Sequence, residues 1–209
     1  MADRPVLFSA PMVRALLDGR KTQTRRVMPD RPLISTYDGR PVIQDRDGVY
    51  RAPETRYKVG DRLWVRERFM PAPEEAPPET PRPTLWNIAY AAGGFCECMA
   101  PPDYDPMLYN YERWSPSIHM PRWASRLTLT VTDVRVERLQ GISEADARAE
   151  GVFVPEAQYA QQGSRAPVLA YGALWTDLNG DGAWEANPWV AAYTFTVERR
   201  NIDAGGAHG

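Results

Sequence analysis

Cysteine is nearly absent from this chain, which carries only Cys96 and Cys98 among its 209 residues. With a single residue between them, a bridge would be strained, and the disulfide framework of a small secreted domain is excluded. Histidine is just as scarce, at two. The C-x-C pair with His119 downstream shows no evident fourth ligand for zinc, so neither a metal nor a cofactor is expected. Charge of one sign is also lacking. A net charge of −2 with a pI near 5.8 excludes a generally basic nucleic-acid coat, and any affinity for phosphate must come from a local patch. No apolar run reaches the ~18 residues of a membrane helix, and no signal-peptide core opens the chain. The expectation is a cytoplasmic protein with no membrane partner. No internal repeat is visible, and oligomeric state is not legible.

Against these absences stand a hydrophobic content of 43%, seven Trp and ten Tyr, enough for a real core. The chemistry concentrates in Gly19-Arg20-Lys21-Thr22-Gln23-Thr24-Arg25-Arg26, where an amine, two hydroxyls and three guanidiniums fall within eight residues. A short apolar helix leads into it. Ser9 stands at its N-cap, Pro11 in its first turn, Met12, Val13, Leu16 and Leu17 at helical spacing, and Gly19 at its end. The octet therefore starts on a rigid support. In an extended segment Lys21 and Thr24 point to opposite faces; in a turn they share one. The residues alone leave both open.

Elsewhere the pattern predicts strands at Val6-Leu7-Phe8, at Leu63 to Val65 after a Gly60-Asp61 turn, at Leu127 to Leu139, where apolar and polar residues alternate, and at Val190 to Val197. Ser143 to Gly151 reads as a capped helix, with Asp146 placed for a capping box. A further helix is expected from Leu174 to Trp184, ending near Asn179-Gly180. Trp175, Trp184 and Trp189 are expected in the core. Residues 29–56 read as an insertion or a loose hairpin at Asp38-Gly39 and Asp47-Gly48. Residues 71–83 are Pro-rich and read as a mobile loop, residues 84–111 as an ordered excursion without long regular elements, and 201–209 as a disordered tail. The whole reads as a single α+β domain over residues 1–200, built on a compact mixed sheet or barrel with short helices and long loop insertions at about 29–56 and 71–119.

The octet after its helix, Val59-Gly60-Asp61-Arg62-Leu63-Trp64-Val65 as turn and strand, and Ile142 to Gly151 as helix, in that order, resemble the ASCH domain. Ser115 to Arg126 is similar to the longer ASCH proteins of phages and prophages. The resemblance covers about half of the chain and implies a PUA-like fold, a small mixed β-barrel with flanking helices. Within that family a small enzyme deacetylates N4-acetylcytidine through a lysine, a threonine and a glutamate, and the motif carries these roles to Lys21, Thr24 and Glu150. The resemblance thus implies an amidohydrolase acting on the N4 amide of a cytosine-type nucleoside, with Thr24 as nucleophile, Lys21 as its base and Glu150 as orienting or proton-transfer group. A non-catalytic RNA-binding module and a ribonuclease are the alternatives.

Acyl transfer needs an activated nucleophile and positive charge for the oxyanion. A threonine hydroxyl is inert at neutral pH unless a neighbour takes its proton, and Lys21 can do so only if burial or nearby cations lower its pKa. Arg20, Trp64, Arg66, Glu67, His119 and Arg122 are the candidate substrate-binding residues. The same arginines with Arg25, Arg26, Trp64 and Trp123 mix cations with stacking surfaces, a combination suited to single-stranded RNA or a free nucleotide. The competing reading is a solvated basic turn, surface ion pairs, and a histidine ring that simply packs.

Overall fold

The computed structural model describes residues 2–29, 34–44, 47–73, 82–102, 104 and 113–204. In chain order the elements begin with β1 (Asp3–Leu7), α1 (Ala10–Leu17), β2 (Gln23–Val27), β3 (Ile34–Tyr37), β4 (Arg40–Gln44) and β5 (Tyr50–Arg51). There follow β6 (Arg62–Arg66), β7 (Phe69–Pro73), β8 (Thr84–Tyr90), β9 (Phe95–Ala100) and β10 (Thr128–Arg138). The last are α2 (Glu144–Ala149), α3 (Glu156–Gln162), α4 (Ala166–Asn179) and β11 (Trp189–Glu198). The chain is α+β, and it divides into two compact units: Met1–Asp18, Gly60–Thr130 and Thr196–Gly209 make the first, Gly19–Val59 and Val131–Phe195 the second. Neither contains a closed barrel among the described residues, and no described helix is long and apolar enough to cross a membrane.

In the first unit β1 runs parallel to β6, from Asp3 opposite Arg62 to Leu7 opposite Arg66, and Thr128–Thr130 of β10 lies antiparallel on the other side of β6. Leu63 and Val65 are buried while Arg62, Trp64 and Arg66 are half-exposed, the period-two alternation of a strand with one covered face. α1 buries Val13, Ala15 and Leu16, takes Pro11 in its first turn, and stops where Gly19 adopts a left-handed φ of 72°. Ser9 stands at the N-cap position without making a side-chain cap bond.

A second sheet of this unit, in order β7-β8-β9, is antiparallel throughout. Trp86, Ile88 and Tyr90 of β8 pack with Phe69, Met120 and Ala124 into one core. This corrects the expectation that residues 84–111 lack long regular elements and that 71–119 is an insertion of loops. The alternation in β8 was masked because Leu85 and Ala89, on the other face, are apolar as well. Gly93-Gly94, which reads as a loop, is the hairpin turn, with both φ values positive. Residues 74–81, which hold most of the Pro-rich stretch, and 205–209 of the tail lie outside the described residues.

In the second unit β2 pairs antiparallel with β11, Thr24 opposite Tyr193, and β11 is flanked on its other side by β10. Residues 29–56 again hold strands: β3, β4 and β5 form an antiparallel sheet, with the expected hairpin at Asp38-Gly39, where both residues have positive φ. Leu139, Ile142, Ala147, Tyr171, Trp175 and Val190 make the core, with Trp184 and Val168 against it. α4 begins eight residues before the expected Leu174, with Pro167 in its first turn. Its apolar residues are spread around the whole helix rather than along one stripe, which removes the periodic signal. Gly172 stands within the continuous helix for a steric reason: a Cβ there would meet the Trp184 ring at 3.2 Å. Trp184 itself lies in the turn that follows the helix, not within it.

Candidate active site

The octet is extended, and the second unit holds it from both sides. Thr22 N donates to Ala149 O (2.8 Å), Phe195 N donates to Thr22 O (2.9 Å), and Lys21 forms an isolated antiparallel bridge with Glu150. α2 delivers Glu150 at its C-terminus. Its start is fixed by Ser143 Oγ, which accepts from Asp146 N at 3.1 Å, and its end by Gly151 at a φ of 88°. Arg20 Nη1 reaches back to Gly151 O at 2.9 Å and so ties the two glycine-terminated turns together.

Lys21 is wholly buried and Glu150 is 4% exposed. The Lys21 Nζ donates to Glu150 Oε2 (2.8 Å), Glu150 O (2.9 Å) and Gln23 O (2.8 Å). Burial lowers the lysine pKa and the Glu150 carboxylate opposes that shift, while Arg26 and Arg25 add to it. Thr24, 1% exposed, accepts from Arg26 Nη1 at 2.6 Å. A guanidinium cannot accept the hydroxyl proton, but a positive charge at that distance favours the alkoxide. Lys21 and Glu150 are therefore joined directly, whereas Thr24, three residues further along the extended segment, lies on the opposite face with its hydroxyl engaged by Arg26, so the expected base and nucleophile are not brought into contact.

Around this pair lies a set of side chains of which only Arg25 was named for the site from the sequence, as one of the cations near Lys21. The Arg25 side chain is completely buried. Its Nη1 donates to Gln23 Oε1 (2.5 Å) and Glu150 Oε1 (3.2 Å), its Nη2 to Glu137 Oε1 (2.7 Å), and Asp146 Oδ2 stands 3.5 Å away. Gln23 Nε2 donates to Asp146 Oδ1 (3.0 Å) and Thr194 Oγ1 (3.1 Å), and Arg135 Nη2 donates to Asp146 Oδ1 (2.9 Å). Tyr171 of α4 directs its hydroxyl at Glu150 Oε1 from 3.5 Å. Lys21, Arg25, Arg26 and Arg135 thus stand with Asp133, Glu137, Asp146 and Glu150, four cations against four carboxylates. That balance is what makes so much buried charge tolerable. Burial would raise the Asp146 carboxyl, yet the hydrogen bonds from Arg135 and Gln23 hold it down at about 2.

The signal for Gln23 and Arg25 was their i, i+2 spacing in an extended segment, which puts both on one face. That for Asp146 and Glu150 was their i, i+4 spacing on a helix. Asp146 had been read through its cap alone, whereas its carboxylate turns to Arg135 and Gln23.

The remaining candidates belong to the first unit. Arg66 stacks over Trp64, its guanidinium carbon 5.2 Å from the ring centroid, and donates to the Ile118 carbonyl. Glu67 is buried in a bidentate pair with Arg126 (2.9 and 3.0 Å), and burial raises its pKa against that pairing. Arg122 is clamped between Asp203 and Asp3, and His119 is exposed. No family model, curated protein or solved structure matches the chain.

Proposed function

We propose that the chain is an ASCH-type amidohydrolase on a PUA-like framework, acting in the cytoplasm and without a cofactor. Its reaction is removal of an acyl group from the N4 nitrogen of a cytosine-type nucleoside, free or within RNA. The observation that carries this reading is the Lys21–Glu150 pair, an amine with no exposure and a lowered pKa held 2.8 Å from a carboxylate. An amine so placed can surrender a proton to its partner and act as a base at neutral pH, which a solvated lysine cannot.

In the proposed sequence Lys21 passes a proton to Glu150, substrate binding brings the neutral amine round from the opposite face of the strand to Thr24, and the amine takes the hydroxyl proton as Oγ1 attacks the acyl carbonyl. A C–O bond forms, and the carbonyl electron pair moves to oxygen. Arg26, already donating to Thr24 Oγ1, supports the developing negative charge. Collapse breaks the C–N bond, and the leaving nitrogen takes a proton from Glu150. Water then attacks the acyl-threonine, releasing the carboxylic acid and restoring the hydroxyl. Arg25 and Tyr171 fix Glu150 Oε1 and leave Oε2 to Lys21, so they act as positioning residues.

The test is release of acetate and cytidine from N4-acetylcytidine by purified protein, followed by chromatography. Turnover by the wild type, loss of at least about a hundredfold in Thr24→Val, and partial retention in Thr24→Ser are expected. A rate that rises with pH through a pKa below the ordinary 10.5 of lysine is expected as well. No turnover on any N4-acylated nucleoside overturns the reading, and salt-sensitive RNA binding without turnover then favours the non-catalytic module. Cleavage of the RNA strand itself favours the ribonuclease.

A further inference from the structure

We propose that Cys96 and Cys98 form a binding site for copper(I) in the first unit. The two stand at i and i+2 on β9, the outer strand of the β7-β8-β9 sheet, so the period of two turns both side chains to one face. Their sulfurs are 2.9 Å apart with both cysteines free. Both border a cavity of about 400 Å³, together with Trp123, Arg126, Arg199 and Arg200.

The number and softness of the donors select the ion. Tetrahedral zinc requires four ligands and calcium six or more oxygens, yet no group of three or more His, Cys, Asp or Glu is placed for a metal among the described residues. Two sulfurs with no third ligating side chain grouped beside them among the described residues suit copper(I), which prefers thiolates. Charge leans the same way. Uptake is Cu⁺ + 2 RSH → [Cu(SR)₂]⁻ + 2 H⁺, and around the anionic product the cavity wall carries Arg126 (paired with Glu67), Arg199 and Arg200 (paired with Glu198) against the carboxylates of Glu97 and Asp203.

Strand geometry explains why an ion, rather than a disulfide, joins the two. Residues i and i+2 of a strand have Cα atoms about 6.6 Å apart, at the far limit of the disulfide range. A direct bridge would pull β9 out of its register with β8, in which Cys96 faces Ile88 and Cys98 faces Trp86. An inserted ion lengthens the bridge, and the sheet keeps its register.

The experiment is anaerobic titration of the reduced full-length chain against the coloured copper(I)–bicinchoninate complex, with far-ultraviolet circular dichroism as the check on folding. The expected result is withdrawal of one copper(I) per chain, with sulfur-to-copper absorption in the near ultraviolet and a grip that weakens as pH falls. Cys96→Ser and Cys98→Ser should each lose at least about tenfold in affinity with unchanged dichroism, and Arg200→Gln a few-fold. Failure of the wild type to remove copper from the complex overturns the proposal. So does a single serine variant that binds as tightly as the wild type, or equal competition by zinc.

Discussion

Replacing Glu150 by glutamine removes one negative charge from a site that is 4% exposed and leaves its shape nearly unchanged. The carboxylate holds Lys21 Nζ at 2.8 Å and Arg25 Nη1 at 3.2 Å. Without it, Lys21 Nζ loses that carboxylate and still donates to the Gln23 and Glu150 carbonyls, while Arg25 keeps Glu137 and Asp146 and Arg135 keeps Asp133, Glu137 and Asp146. The magnitude follows by two routes. Removing one member of a buried pair costs roughly 3–5 kcal/mol, because the partner stays charged and uncompensated. Alternatively Lys21 gives up its proton in the folded state. From the ordinary value of 10.5 down to pH 7 that costs about 1.36 × 3.5, or about 5 kcal/mol.

The routes agree, and the second has a signature. With Lys21 neutral when folded and charged when unfolded, the unfolded state binds the extra proton. Stability of the variant then rises with pH by about 1.4 kcal/mol per unit up to the unfolded pKa, and its deficit against the wild type shrinks. At neutral pH the melting temperature should fall by roughly 6–20 °C. Urea denaturation at pH 7 and pH 9.5, followed by tryptophan fluorescence, measures both effects. The further change Lys21→Met should restore most of the loss, since cations and carboxylates of the cluster are then again equal in number. A Glu150→Gln deficit below about 1 kcal/mol at pH 7 would falsify the assignment of this pair as a buried, mutually dependent charge centre.

Two other perturbations probe the surroundings of the site. Asp146 titrates at about 2 when folded against an ordinary 3.8, so its contribution is complete above the higher value and lost as pH falls toward the lower. Acid denaturation of Asp146→Asn should therefore be flatter than wild type between pH 4 and 2, and identical curves would show that Arg135 and Gln23 do not stabilise its charge. At Gly19, a Cβ would meet nothing within 4 Å, but φ is 72°. Gly19→Ala should lose about 1–2 kcal/mol from backbone strain alone, Gly19→Asn distinctly less, and equal losses in thermal melts would count against a left-handed helix end.

The parts of the fold legible in the sequence are those with a local cause. β6, β10, β11, α1 and α2 were read from alternation, helical spacing, caps and terminal glycines within a few residues, and they stand where expected. β8, β9 and the start of α4 were not. Apolar residues on both faces of β8, and around the whole of α4, erase the periodicity that distinguishes strand from helix and inside from outside. The site divides in the same way. The octet announces chemistry by composition. That Lys21 is neutralised by Glu150, while Thr24 takes its hydrogen bond from Arg26, is not contained in any short window.

By itself, then, the sequence determined the α+β class, the short elements with strong local signals, and the segment in which the reactive groups lie. Tertiary structure decided which charges meet. The strand pairing that sets Thr24 opposite Tyr193, and the close of α2 beside Lys21, bring Gln23, Glu137, Asp146, Glu150 and Tyr171 into one network with Lys21 and Arg25. The physical reason is range. Propensity and capping act over a few residues, whereas a buried ion pair needs two distant segments held in one register, and its desolvation cost is compensated only when that register is formed.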